Sequence, residues 1–393
     1  MSERAEEQAM PSASASPAGP PFATLAGIIA TVSVFAVSQG LSYPLLSFIL
    51  QRQGISPAMI GLSAAMTPLG FIVSSLMIPR LSQWIGPGRL AVACAMLAAL
   101  CLAAIGWRQE LWFWFPMRFL LGFFANPLYV ISETWMIAVT PAQRRARIMG
   151  VYTSVISGGF ALGPLTLAVV GTEGWPPFLV GVGAFLLCGS ILLGVLHRLP
   201  PIHEAGAAHQ PVSGFIRRAP LLLFAVFVAA AFEQALFSLF AIYGEGYGSP
   251  EQRVSTLLAV FVAGNIALQV PFGAIAERIG AHAMMAFCAI AGVAGCILLP
   301  LSFETVLIWP VAFVWGAVAF GIYTMALIQL GERFSGTALI TGNAAFALFW
   351  GVGGIGGPPV TGAIMDAIGI QGLPLSLGLI CAVLAGWLLL RRP

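Results

Sequence analysis

With 393 residues, 59% of them hydrophobic and only 8% charged, at a mean hydropathy of +0.95, the chain has too few charges to cover a water-facing surface of its size. Soluble domains carry about 25% charged residues. A formal net charge of +3 does not alter that balance: the solvent for most of this chain is lipid, and neither a nucleic-acid partner nor a cofactor is expected.

Residues 1–20 are polar, acidic at Glu3, Glu6 and Glu7, then rich in Pro, Ser and Ala. They lack the basic start and short apolar core of a signal peptide and read as a disordered cytoplasmic tail. A helix that spans a bilayer needs about 20 mostly apolar residues. Twelve such segments follow, at roughly 22–48, 56–78, 89–107, 111–139, 148–170 and 177–196, then 219–243, 254–274, 282–301, 305–330, 338–362 and 373–390. Backbone groups in lipid must be satisfied within each segment, so these are helices. The polar stretch His197–Arg218, with Pro200, Pro201 and Pro211, separates the sixth span from the seventh. The expected organisation is therefore all-α: an N-terminal six-helix bundle over 21–197, a cytoplasmic linker over 198–218, and a C-terminal six-helix bundle over 219–393.

The six cysteines (Cys94, Cys101, Cys188, Cys288, Cys296, Cys381) lie in apolar stretches without ligand spacing to a histidine, so buried, inert thiols are expected. The four histidines (His197, His203, His209, His282) fall in predicted loops, which disfavours a proton relay or a metal site inside the membrane.

Arginine sets the orientation, because there is no lysine and all 17 basic residues are Arg. With the N-terminus inside, 13 of them lie on the cytoplasmic side, three (Arg52, Arg108, Arg253) lie outside, and Arg118 is intramembrane. This satisfies the positive-inside rule and puts both termini in the cytoplasm of a bacterial inner membrane.

The two halves superimpose in sequence at one constant offset of 194 residues. Gly159-x-x-x-Gly163-Pro164 falls on Gly353-x-x-x-Gly357-Pro358, Tyr129 on Tyr323, Pro116 on Pro310, Gly122 on Gly316, Gly86 on Gly280, and Gln39 on Glu233. A repeat of this kind is a way to build alternating access.

Helix four carries Arg118, Gly122, Asn126, Tyr129 and Glu133, spaced 4, 4, 3 and 4 residues apart. At about 100° per residue all five fall within an arc of about 80°. A polar stripe this narrow inside lipid reads as a cavity wall, or alternatively as a pair of residues bracing the two interfaces. Arg118 and Glu133 are more than about 20 Å apart along the helix axis and cannot pair with each other. Glu233, next to Gln234, is the most centrally placed acid. Holding it ionised without a partner would cost several kcal/mol, so it is expected to load and release a proton, or else to stay protonated and hydrogen-bonded in the core. Gln39 and Tyr43 would face the same central space. Asn265 and Gln269 are either further donors there or interhelical glue.

These residues bring a resemblance. Gly273-Ala274-Ile275-Ala276-Glu277-Arg278-Ile279-Gly280 resembles the signature loop of the major facilitator superfamily, and its counterpart after helix two is degraded at Gln83, Trp84, Pro87 and Gly88. The arginine of helix four and the Gly-Pro pair of helix five are similar to two further motifs of that superfamily. The run Tyr129-x-x-x-Glu133-x-Trp135, with Tyr152 beyond it, resembles the YcaD-like bacterial branch. The resemblance implies a secondary transporter in which two bundles rock about a site built by helices one, four, seven and ten. It implies that Gly273, Glu277, Arg278 and Gly280 gate the cytoplasmic side, and that the glycine-proline motifs bend or seal helices. Glu233 and Glu133 are then candidates for proton coupling, and Arg118 for an anionic or carbonyl-bearing solute. The expected partners are a small solute, the lipid bilayer and protons, with the chain acting as a monomer. An intramembrane enzyme is disfavoured, since the spans hold no His cluster and no Ser-His arrangement. A facilitative uniporter, or a transporter fold serving as sensor or scaffold, stands as the alternative. Cysteines placed at His209 and Ser249 test the orientation: membrane-impermeant maleimide applied to intact cells should label position 249 and not position 209. The opposite pattern would overturn orientation and repeat together.

Overall fold

The computed structural model describes residues 22–140, 145–196 and 212–390. The expected tail, Arg144, most of the expected linker with His197, His203 and His209, and the last three residues lie outside them. Thirteen helices follow in chain order: α1 (Phe22–Arg52), α2 (Pro57–Ile85), α3 (Pro87–Trp107), α4 (Leu111–Val139), α5 (Arg145–Val170), α6 (Pro176–Val195), α7 (Val212–Arg218), α8 (Pro220–Glu245), α9 (Glu251–Ile279), α10 (Ala281–Ser302), α11 (Ile308–Arg333), α12 (Gly336–Ile368) and α13 (Gly372–Leu390). There is no strand among the described residues. Twelve of the helices are long; α7, with seven residues, lies inside the expected linker. Among the described residues ten helices are long and apolar enough to cross a membrane. The other two long ones, α4 and α12, have 29 and 33 residues but do not reach that measure over their described residues. Arg118, Asn126 and Glu133 interrupt α4, and glycines dilute α12.

Two differences from the sequence expectation have local causes. The signature residues Gly273, Glu277 and Arg278 form the last turns of α9 rather than a loop, because nothing before Gly280 stops the helix. Gly280, with φ 89, makes the turn; Gly86, with φ 83, does the same after α2. Side chains rarely adopt that backbone conformation, so both turns sit where only glycine is at ease. His282 lies in the first turn of α10, not in a loop, and its Nε2 is 3.1 Å from the Leu388 carbonyl of α13. All six cysteines are buried and free.

The 194-residue offset is visible in three dimensions. Pro57 and Glu251 begin α2 and α9, and Ile85 and Ile279 end them. A Cβ on Gly70 would overlap the Phe119 carbonyl, and one on Gly122 that of Thr67. At the counterpart positions, Gly264 meets the Phe313 carbonyl and Gly316 that of Phe261. The glycine-proline motifs act the same way. A Cβ on Gly159 would lie 2.6 Å from the Ser33 oxygen of α1, and one on Gly353 2.5 Å from the Phe227 oxygen of α8. Gly163 and Gly357 meet backbone on those same partners, around Gly40 and Ala231. Pro164 and Pro358 lie inside helices α5 and α12, each next to one of these contacts. The result is two pseudo-symmetric six-helix bundles, with α1 and α8 the most deeply buried helices at the centre.

The bundles meet along α2 against α12 and α5 against α9. Close contacts along the first pair run from Pro57 with Gly362, through Gly61 with Pro358 and Pro68 with Gly354, to Ile72 with Gly351. Hydrogen bonds tie the same end. Arg52 pairs with Glu251 at 2.7 Å, Thr172 donates to the same carboxylate, and the Ala58 amide donates to Asp366 Oδ2 at 3.1 Å. Glu277 and Arg278, at the opposite end, are exposed and form no ion pair among the described residues.

Backbone-to-backbone packing of this closeness leaves no room for a methyl group. Gly264→Ala should lower the unfolding temperature of the purified protein by an amount corresponding to about 1–3 kcal/mol. Gly386→Ala, where a Cβ would meet nothing within 4 Å, should leave it unchanged within about 0.5 kcal/mol. Equal effects at the two positions would show that the close crossing does not limit stability.

Candidate functional site

The centre of the bundle holds few polar side chains, and the structure separates them by neighbour. On α4 the stripe does two jobs rather than one. Arg118, 1% exposed, points at α2, where its Nη1 donates to Ser63 Oγ at 3.5 Å; its Nε has no hydrogen-bond partner among the described residues. Gly122 lets α2 approach, and Asn126 donates to the Phe71 carbonyl at 3.2 Å and to Ser75 Oγ at 2.9 Å. These three residues form the seam with α2. Tyr129 and Glu133, further along, turn instead to Tyr323 of α11 and Tyr152 of α5.

Arg118 forms no ion pair among the described residues. Its nearest ionisable neighbour is Tyr43 of α1, which also stands close to Gln234, Thr67 and Glu233. Tyr43 thus stands near both the buried guanidinium and the central carboxyl. Gln39 is 1% exposed, and neither its Oε1 nor its Nε2 finds a hydrogen-bond partner among the described residues. Gln234 packs beside Gly354 and Pro68. Asn265 is buried on α9, and Gln269 reaches Thr324 Oγ1 of α11 at 3.4 Å, the interhelical role.

Glu233 is half-buried, and no hydrogen bond or ion pair reaches its carboxyl among the described residues. It lines a narrow recess together with Phe261, Phe320, Tyr323 and Trp350 and with Ala229 and Ala319; in this conformation the recess is too tight to hold a water molecule. The rings hold each other at angles: Tyr323 meets Trp350 edge-on with centroids 4.9 Å apart, and Phe261 lies 5.8 Å from Phe320. The recess therefore draws on α8, α9, α11 and α12, all from the C-terminal bundle; helices α1 and α4, expected from sequence to share a central site with α8 and α11, flank it through Tyr43 and Tyr129. The three wall residues other than Tyr323 read in sequence as ordinary span residues. Across the 194-residue offset Thr67 becomes Phe261, Asn126 becomes Phe320 and Ile156 becomes Trp350, but most positions differ between the halves, so these changes do not stand out in the sequence. No group of three or more metal-ligating side chains occurs among the described residues.

Comparison with known proteins bears on this arrangement directly. The family model of the Major Facilitator Superfamily matches residues 28–336 and again 222–393, so that its second match begins 194 residues after the first. The chain is 25% identical to an uncharacterized MFS-type transporter, YfkF, of Bacillus subtilis over 86% of its own length and 88% of that protein's. It is 23% identical to the uncharacterized MFS-type transporter YcaD of Escherichia coli, over 81% and 82%, in keeping with the branch that the Tyr129–Trp135 run resembles. Among solved structures it is similar to the nucleoside transporter NupG, with a TM-score of 0.78 at 14% identity over 93% of this chain and 98% of that one. A bacterial homolog of the human lysosomal transporter Spinster, inward-facing and unoccupied, gives a TM-score of 0.70 at 14% identity over 95% and 96%. With twelve long helices in two halves, the repeat written in both sequence and contacts, and a family model that covers the chain from its first helix to its last, this protein belongs to the Major Facilitator Superfamily and is a membrane transporter by family.

Proposed function

We propose that the protein moves a small solute across a bacterial inner membrane by alternating access, driven by protons that load at Glu233. Residues 21–197 and 219–393 act as the two moving units, joined by a cytoplasmic linker at 198–218. The observation that carries this reading is a carboxyl without a hydrogen-bond or ion-pair partner among the described residues, at the middle of one of the two most buried helices, in a narrow aromatic recess of a protein built as two pseudo-symmetric bundles. A charge costs several kcal/mol in hydrocarbon unless something answers it. A carboxyl with no partner is therefore poised to take a proton, a solute group, or each in turn.

The asymmetry of the interface supports the same reading. Every inter-bundle hydrogen bond described above lies at the end that carries Arg52, Thr172 and Glu251. With the arginine distribution setting the sides, that end faces outward, and this conformation is closed to the outside. Glu277 and Arg278, exposed at the other end and in no ion pair among the described residues, fit a cytoplasmic lock in its open state. Glu133, among Tyr129, Tyr152 and Tyr323, is placed to serve as a second protonatable group on the cytoplasmic path.

Two experiments test the proposal. Glu233→Gln keeps size and hydrogen-bonding capacity but removes titration. In proteoliposomes it should abolish accumulation driven by a pH gradient while solute counterflow continues. Undiminished gradient-driven accumulation would remove Glu233 as the coupling group and point to Glu133 or to a uniporter. Separately, oxidative cross-linking of Ala58→Cys with Asp366→Cys should stop net flux and restore it on reduction. Flux that persists through the cross-link would mean that this end need not open, and alternating access would fall.

A further inference from the structure

The chemistry of the recess narrows the solute. Resting on the transport reading above, we propose that the recess of Glu233 is a binding site for an organic cation carrying a quaternary or protonated amine, held by the carboxylate and by the ring faces of Phe320, Tyr323 and Trp350. Three observations carry it. The first is charge: Glu233 is the one carboxyl on the wall and no basic side chain joins it, since Arg118 is turned to Ser63 of α2 and is not part of the lining. An anion would meet an uncompensated carboxylate there, and a cation would meet its counter-charge. The second is the lining: four aromatic side chains, Phe261, Phe320, Tyr323 and Trp350, share the recess with one carboxyl, and small alanines at 229 and 319 complete a wall that is closed in this conformation and widens to admit a solute. Ring faces carry negative potential and attract an alkylammonium group that a compact, strongly hydrated ion such as sodium would not suit. The third is the divergence between the two halves. The counterparts of the seven lining residues in the N-terminal half are Phe35, Gln39, Thr67, Ala125, Asn126, Tyr129 and Ile156, a set with no acid and two aromatics, whereas this half combines a carboxylate with four. Fold and packing do not require that difference, because the glycine crossings are the same in both halves.

A tryptophan at position 350 also answers the question of rigidity. It meets Tyr323 edge-on, at 66° between planes, so the two rings brace each other.

The test uses the purified full-length protein and four probes: choline, phenyltrimethylammonium, the neutral choline isostere 3,3-dimethyl-1-butanol, and uridine. Binding is read as a rise in unfolding temperature and by titration calorimetry. The two cations should bind, and the neutral isostere should bind at least about tenfold more weakly, the scale of a desolvated cation–π and charge contact. Glu233→Gln should cost a similar factor for both cations. Trp350→Leu should weaken phenyltrimethylammonium and choline while leaving the unfolding temperature of the empty protein within reach of wild type, so that lost binding is not lost folding. Binding of uridine with no response to either cation would overturn the proposal in favour of a neutral aromatic solute. So would equal affinity for choline and its isostere, or unchanged cation affinity in Glu233→Gln. Flux separates the two readings. Cation binding without uptake of labelled choline by proteoliposomes would leave the site standing and remove transport. Proton-driven flux of another solute with no cation binding would do the reverse.

Discussion

In hydrocarbon, one helix gains nothing by hiding apolar surface against another, because the lipid is as apolar as the partner. Association must come from the closeness of the contact itself, through dispersion and polar bonds between backbones. The glycines of this protein show that constraint at work. Gly70, Gly122, Gly264 and Gly316 each lie so near a carbonyl of the neighbouring helix that a methyl group would overlap it. Gly159 and Gly353 bring α5 onto α1 and α12 onto α8 in the same manner. Each bundle is thus a rigid body because its crossings are tight, and the two bundles are alike because the same crossings recur 194 residues apart.

Rigid bodies leave the charged and polar groups to decide function, since the cost of an unanswered charge in this medium is several kcal/mol. Arg118 and Glu233 are both central, yet their surroundings differ. The guanidinium lies against Ser63 and next to Tyr43, inside the N-terminal bundle, and contributes to how α4 rides on α2. The carboxyl of Glu233 shares a narrow recess with four aromatic rings. Burial alone would have ranked Arg118 the better candidate for a solute contact. The direction each side chain faces reverses that order.

Much of this is legible in the chain itself. Span count, the repeat offset and the central acid follow from apolar run lengths and from residue identities at fixed separation, which are one-dimensional quantities. The position of Glu233 near the middle of its span is of that kind. The helical wheel of α4 is informative only in part. It correctly groups Arg118, Gly122, Asn126, Tyr129 and Glu133 on one face, but a wheel does not say which neighbour that face meets, and α2 takes three of the five. The signature residues at the end of α9 illustrate a second limit. A motif marks a chemical role without marking where the helix ends, and Gly280 alone supplies the stop. The aromatic wall was hidden for a third reason: Phe261, Phe320 and Trp350 satisfy the pattern of a lipid-embedded helix whether they face lipid or a recess. Only the packing around them distinguishes the two.

The closed end shows how such a machine can be both tight and movable. Thr172 and Asp366 occupy equivalent positions at a 194-residue separation, as do Pro57 and Glu251, so the two polar ties across the interface are copies of one contact. Their chemistry is reversed. On one side the acid is the first residue of α9 and a threonine hydroxyl donates; on the other the acid is Asp366, and the donor is the Ala58 amide in the first turn of α2, where a helix N-terminus favours negative charge. Arg52 strengthens one copy alone, because its counterpart is Gly246. The Arg52–Glu251 pair is about one-third exposed on each side, and such pairs contribute only about 0.2–1 kcal/mol. Polar ties this weak can be remade with water when the end opens. A two-state device needs states within a few kcal/mol of each other, and the strong contacts here, the glycine crossings, mostly lie within the bundles. Between the bundles the glycine contacts run along α2 and α12 from Pro57 to Ile72, and α5 against α9 forms a second seam. Opening this end means separating both, and the first ends at the level of Ile72 and Gly351, one residue from the recess wall at Trp350.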